Sequence, residues 1–192
     1  MKADLTRAEL FALLASLPVV PKRTTRARQH RLSGINLSGL SLVGLDLSRL
    51  DLCWANFRGS DLRGADFSYS ALNDSVFDDV DLTLADLSFS LAHGASFKRA
   101  KLVDCHADGL QAERSNWSGA RIGGSWNDVT LWEAKFHRSI LLPGISLHDA
   151  RFGSDDRNAW KGARAAGVDF SSCILLDGDV PLPFPSAPKR KK

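Results

Sequence analysis

Leu32-Ser33-Gly34-Ile35-Asn36-Leu37-Ser38-Gly39-Leu40-Ser41-Leu42-Val43-Gly44-Leu45-Asp46-Leu47-Ser48-Arg49-Leu50-Asp51-Leu52 opens a stretch in which a large apolar residue returns at every fifth position. The series runs on through Phe57, Leu62, Phe67, Leu72, Phe77, Leu82 and Leu87. Two residues before each member sits a second, mostly smaller set, from Ile35, Leu40, Leu45 and Leu50 to Ala55, Ser60, Ala65, Ser70, Ser75, Val80 and Ala85. A helix needs apolar spacing near 3.6 and a strand spacing of 2. A period of five fits neither as a long element. It fits a chain that takes a short extended step, turns a corner and repeats, which is the signature of a stacked architecture.

The most regular units are Ala55-Asn56-Phe57-Arg58-Gly59, Ala65-Asp66-Phe67-Ser68-Tyr69 and Ala85-Asp86-Leu87-Ser88-Phe89. Looser copies begin at Ile35, Leu45, Ser60 and Val80. This pattern resembles the pentapeptide-repeat family, whose unit is a small residue, Asp or Asn, Leu or Phe, and two variable residues. The resemblance implies an all-β solenoid, a right-handed quadrilateral β-helix with four pentads, and so twenty residues, in each coil. Residues twenty apart should then stack. Phe57, Phe77, Phe97 and Trp117 fall into one interior aromatic column, and Leu42, Leu62, Leu82, Leu102 and Ile122 into an aliphatic one. Like stacks on like at the interstrand spacing of about 4.8 Å.

The register slips twice. After Gly123 the pattern resumes one residue early, at Trp126, Leu131, Phe136 and Leu141, and Pro143-Gly144 then inserts a residue before Leu147 and Phe152. With the slip, Phe136 stays on the aromatic column. Roughly six coils result, a rod of about 30 Å at strand spacing.

The open ends of such a rod need cover. Residues Leu5 to Leu17 read as an amphipathic helix with Leu10, Leu13, Leu14 and Leu17 at helical spacing, capped by Asp4 or Thr6 and ended by Pro18. Large residues at Ile35, Leu40, Leu45 and Leu50 suit packing under that helical lid. The expected organisation is a capping helix and basic linker over 1–29, the β-helix over 30–154, a C-terminal cap over 155–180 with a short helix at Asp155–Ala166 and further pentads, and a disordered, Pro-rich, basic tail over 181–192. The linker carries basic residues without aromatics or a motif, so it reads as a solvated segment rather than a nucleic-acid contact, and the basic end of the tail reads as solubilising.

With 192 residues, 44% hydrophobic and 24% charged, the chain suits one soluble domain. No apolar run reaches the roughly 18 residues of a membrane span. Three cysteines, an odd number, favour a reducing compartment, and a cytoplasmic location is expected. Cys105 and Cys173 fall on inward positions, whereas Cys53 should point outward and carries the option of reactivity. The five histidines never lie twenty residues apart, and no Cys-x-x-Cys, His-Glu-x-x-His or Gly-rich phosphate loop occurs. Neither an enzymatic role nor a cofactor or metal is expected.

The outward residues carry the information. The net charge is +3, yet between Asp46 and Asp86 nine acids face three bases, a local net of −6. Asp46, Asp66 and Asp86 should align on one side, and Asp61 and Asp81 on the next. Like charges opposed on neighbouring strands repel. Tyr69 and Phe89 should align at an outward corner, with Leu84 and Leu91 nearby. These nine residues form the expected protein-interaction surface. The first functional expectation is a scaffold that presents a flat β-helix surface to a protein partner. The resemblance adds a second, since some members of similar length mimic duplex DNA and bind type II topoisomerases such as DNA gyrase, protecting them from quinolones or toxins. It also implies a homodimer through the C-terminal coils and, as a minor alternative, a secreted bacterial effector.

Overall fold

The computed structural model describes residues 4–16, 32–153, 159, 163–165, 168 and 173–175. The basic linker and the tail at 181–192 lie outside them. Through the repeat region each pentad makes one short bridge and one two-residue turn. The turns close on main-chain bonds such as Ala65 N to Leu62 O at 3.0 Å. Parallel bridges join residues twenty apart, from Asn36 with Asn56 through Asp46 with Asp66 and Asp66 with Asp86 to Ser96 with Asn116. The bonds that make them run from coil to coil, as from Leu62 N to Asp81 O at 2.9 Å and from Asp86 N to Ala65 O at 3.0 Å. A solenoid built this way satisfies its backbone between coils and keeps both inward sets of side chains dry.

Further along, the bridges lengthen into named strands: β1 at Lys101–His106, β2 at Arg121–Ser125, β3 at Thr130–Trp132, β4 at Ile140–Leu141, β5 at Arg151–Gly153 and β6 at Ile174–Leu175. They form two parallel three-stranded sheets, ordered β1-β2-β4 and β3-β5-β6.

The aromatic column is present as expected. Phe57 stacks on Phe77 at 4.8 Å, Phe77 on Phe97 at 4.9 Å and Phe97 on Trp117 at 4.0 Å, with planes within 10° of parallel. Phe67 meets Phe57 and Phe77 edge-on, at 5.4 and 5.5 Å. The small inward serines are polar but satisfied, because each hydroxyl donates to a main-chain carbonyl: Ser60 to Leu37 O, Ser75 to Leu72 O and Ser90 to Leu87 O. A short hydroxyl is thus accommodated at the same inward set that takes Leu50, Val80 and Leu110 in other pentads.

Both slips occur where the spacing placed them. Leu102 pairs with Ile122, but Cys105 pairs with Gly124, so β2 has lost a residue relative to β1. Gln111 then pairs with Thr130, nineteen residues on, and β3 pairs with β5 at twenty-one, which restores the count after Pro143-Gly144. Phe136 keeps its place, 6.3 Å from Trp117 with planes 9° apart.

The helix α1 covers Arg7–Ser16, shorter than the expected Leu5–Leu17 at its described start. Thr6, not Asp4, caps it. Glu9 N donates to Thr6 Oγ1 and Thr6 N donates to Glu9 Oε2, a reciprocal capping box. Asp4 instead ties the helix to the first coil, through Asp4 N to Asn36 O and Asn36 N to Asp4 Oδ2, both 2.7 Å. Leu10 is fully buried in the core cluster, and Leu5, Leu14, Leu32, Ile35 and Leu40 pack against it. Phe11, on another side of the helix, stays 44% exposed.

The expected helix over Asp155–Ala166 is corrected at its described residues. Arg164 bridges Ile140 in parallel, Leu141 N donates to Arg164 O, and Phe136 N donates to Ala159 O. That backbone is engaged with the preceding coil. Buried Ala159, Ala165, Val168 and Cys173 supply the small inward groups that continued coiling requires.

Candidate interaction surface

Each turn has its second residue in the left-handed region, where glycine is at ease and bulky side chains are strained. Trp54, Tyr69, Leu84 and Phe89 hold such positions, with φ of 57°, 59°, 61° and 57°. They are also 64%, 37%, 62% and 53% exposed. Glycine occupies the equivalent turn elsewhere, as at Gly34, Gly44, Gly64 and Gly109. These four side chains therefore carry two costs, solvent exposure of apolar surface and a strained backbone, and neither serves the core.

Tyr69 and Phe89 stack at 5.1 Å with planes 17° apart, and the Arg49 guanidinium lies 4.5 Å over the Tyr69 ring. Between this corner and the one bearing Leu84 lie Asp46, Asp66 and Asp86, bridged in series. On the other side of the aromatic corner runs a second column, Asp51, Ala71, Leu91 and Gln111. Leu91 is 38% exposed there. The structure thus joins Tyr69, Phe89, Leu84, Leu91, Asp66 and Asp86 into one surface. Asp61 and Asp81 bridge each other beyond the Leu84 corner, on a separate column. Trp54 was not foreseen. Its position as the second residue of a turn, repeated from pentad to pentad, was the available signal.

The aspartates do two different jobs. Asp46, Asp66 and Asp86 each accept a hydrogen bond from the backbone N–H two residues on, at Ser48, Ser68 and Ser88, over 2.8–2.9 Å. These side chains build the turns. Asp61, Asp78, Asp79 and Asp81 are neutralised at short range, and of these Asp61 and Asp81 also accept the turn N–H two residues on. Arg63 clasps Asp61 at 2.7 Å, Arg99 clasps Asp79 at 2.6 Å, Lys101 reaches Asp81 at 3.2 Å and Arg58 reaches buried Asp78 at 2.7 Å. The expected repulsion in the Asp61–Asp81 ladder is relieved in this way, by Arg63 on Asp61 and by Lys101, from the next coil, on Asp81. The Arg63 bonds hold the Asp61 carboxyl below its ordinary range, and the Arg99 bonds do the same for Asp79. For Asp81 burial pulls upward, but bonds from Thr83 and Lys101 outweigh it and the net shift is downward.

Turn-building and charge can be separated by substitution. Asp66→Asn retains an acceptor for Ser68 N and is expected to leave urea stability nearly unchanged. Asp66→Ala removes the acceptor and is expected to cost about 0.5–1.5 kcal/mol. Equal losses in both variants would mean that the charge, not the turn bond, matters for folding.

Cys53 is half-buried, and burial together with Asp51 pushes its thiol up, away from the thiolate that reactivity requires. Cys105 is buried and is raised further by the same cause. Among the described residues, no group of three or more His, Cys, Asp or Glu is disposed to hold a metal ion, and no helix is long and apolar enough to cross a membrane.

A family model described as pentapeptide repeats matches residues 31–68 and 60–99, with eight copies. No curated protein matches the chain. Among solved structures, the chain is similar to a trypsin-treated variant of QnrB1, a plasmid-mediated fluoroquinolone resistance protein, at 20% identity and a TM-score of 0.48 over 77% of this chain and 72% of that one. It is similar to a pentapeptide repeat protein of the Arabidopsis thaliana thylakoid lumen at 28% identity and a TM-score of 0.35, over 58% and 71%. It is also similar to HetL of the cyanobacterium Nostoc sp. strain PCC 7120, involved in heterocyst differentiation regulation, at 18% identity and a TM-score of 0.39, over 92% and 99%.

Proposed function

Because this chain is a pentapeptide-repeat protein, we propose that it is a non-enzymatic scaffold offering an outer surface of its solenoid to a protein partner. The reading takes the solenoid as a right-handed, four-sided β-helix with α1 covering one open end, working in a reducing compartment such as the cytoplasm. One observation carries it: the exposed Tyr69–Phe89 stack, flanked by Leu84 and Leu91, is held on strained turns beside Asp66 and Asp86. Exposed aromatics of this kind are the usual anchors of an interface, and neighbouring carboxylates set the sign of the partner.

A photo-crosslinking residue at position 91 tests the reading, with position 121 on a distant column as the control. The expected result is a discrete crosslink to another protein from position 91 and none from 121, lost in Phe89→Ala with the melting temperature unchanged. Equal labelling from both positions would refute it.

DNA mimicry toward a type II topoisomerase is a second reading. It draws on Asp66 and Asp86, to which no ion pair is made among the described residues. The ion pairs that neutralise Asp61, Asp78, Asp79 and Asp81 narrow its footing. DNA gyrase supercoiling, with and without a quinolone, distinguishes it. An effect lost in Asp66→Asn/Asp86→Asn supports mimicry, whereas no effect of the unaltered protein removes it.

A further inference from the structure

The outward column through Leu91 is uncharged at its middle coil. It runs between two ladders of turn residues. Tyr69, Phe89 and Gly109 stand on one side, one coil apart, and Asp74, Gly94 and Arg114 stand on the other. The floor between them is Ala71, Leu91 and Gln111. Its middle coil presents only Phe89, Leu91 and Gly94 at these three places. One coil before lies Asp74, and one coil after lies Arg114. Both are exposed. Neither takes part in an ion pair among the described residues, unlike the Asp79–Arg99 and Asp81–Lys101 pairs elsewhere on the rod.

We propose that a second copy of this chain packs antiparallel against this column. The proposal rests on the scaffold reading in taking Phe89 and Leu91 as interface residues, and it names the partner. A twofold axis lying across the rod at the level of Leu91 and Gly94 reverses the order of the coils. Asp74 of one copy then faces Arg114 of the other, and the pair occurs twice. Phe89 and Leu91 face their own counterparts at the centre, so the contact is self-complementary and closed. A parallel arrangement would face the aromatic ladder with the charged one, placing Tyr69 opposite Asp74, and would pair no charges.

One detail bears on the antiparallel contact. The Asp74 carboxylate leans from its own coil toward the middle one, since a Cβ added at Gly94 would lie 2.4 Å from Asp74 Oδ1. The acid thus borders Phe89 and Leu91 rather than turning away from them, as charges border the apolar centre of an interface.

Charge reversal tests this with a signature that few other arrangements share. Sedimentation velocity of the unaltered full chain is expected to show a dimer. Asp74→Arg alone places arginine against Arg114 twice, and Arg114→Asp alone places aspartate against Asp74 twice. Each is expected to weaken dimerisation at least about a hundredfold, since facing like charges cost several kcal/mol and each 1.4 kcal/mol is tenfold. An equimolar mixture of the two single variants restores both pairs and is expected to dimerise, as is the double variant alone. Unchanged melting temperatures for the single variants would exclude misfolding. A monomeric unaltered chain, a dimer indifferent to both substitutions, or a mixture that stays monomeric would each overturn the proposal. The scaffold reading fails separately, on equal crosslinking from positions 91 and 121.

Discussion

Phe77→Ala is expected to lower folding stability by about 3–5 kcal/mol, the range for truncating a fully buried aromatic side chain. Phe77 has no exposed surface and is sandwiched between the parallel rings of Phe57 and Phe97, with Phe67 edge-on. Alanine leaves a cavity that the column cannot close. The ladder fixes the coil spacing, so Phe57 and Phe97 cannot move together without breaking the bonds on either side of them. Urea unfolding monitored by circular dichroism measures the loss. Phe89→Ala provides the contrast. It removes a ring of similar size from the surface and is expected to stay within about 0.5 kcal/mol. A near-neutral Phe77→Ala would contradict the column itself.

Gly124→Ala is expected to be at least as damaging although it adds one methyl group. Gly124 has φ of 104°, and a Cβ there would lie 2.1 Å from Cys105 O and 2.6 Å from Cys105 N. Those atoms are backbone in the neighbouring strand, so no rotamer change relieves the overlap. Strain of about 1–3 kcal/mol for the disfavoured φ adds to the displacement of β1 from β2, for a total of roughly 3–5 kcal/mol. Thermal unfolding would measure it. Gly64→Ala is a control, since its Cβ meets nothing within 4 Å and only the φ of 65° is unfavourable. Similar losses at both glycines would show that the close approach at the slip carries no special weight.

The slip at Gly124 was readable because it shifts every later large residue by one. The aromatic column and the twenty-residue pairing were readable for the same reason, since an inward position constrains side-chain size and repeats. The outer surface obeys no such constraint. Asp79 and Asp81 appear in the linear chain as members of an acidic run, and only folding brings Arg99 and Lys101 one coil beneath them. The role of Asp46, Asp66 and Asp86 as turn acceptors is likewise set by local side-chain rotation. Tyr69 and Phe89 were legible because they are twenty residues apart. Trp54 was not, because its counterparts, Gly34 and Asp74, share neither its size nor its polarity. Beyond Gly153 the pattern weakens into a stretch whose alanines suit a helix equally well, and the pairing of Arg164 with Ile140 could not be read from it.

The direction of the coil-to-coil hydrogen bonds has a mechanical consequence. They lie along the axis of the rod, so tension between its two ends pulls on them end-on rather than sideways. The bonds at a terminal coil then fail one after another instead of sharing the load, and the rod peels. Each coil that detaches frees twenty residues, roughly 66–72 Å of extended chain, while the coils behind it keep their pairing. Pulled lengthwise, this protein is expected to give way in regular steps at low force, even though the rings at its centre are closely stacked.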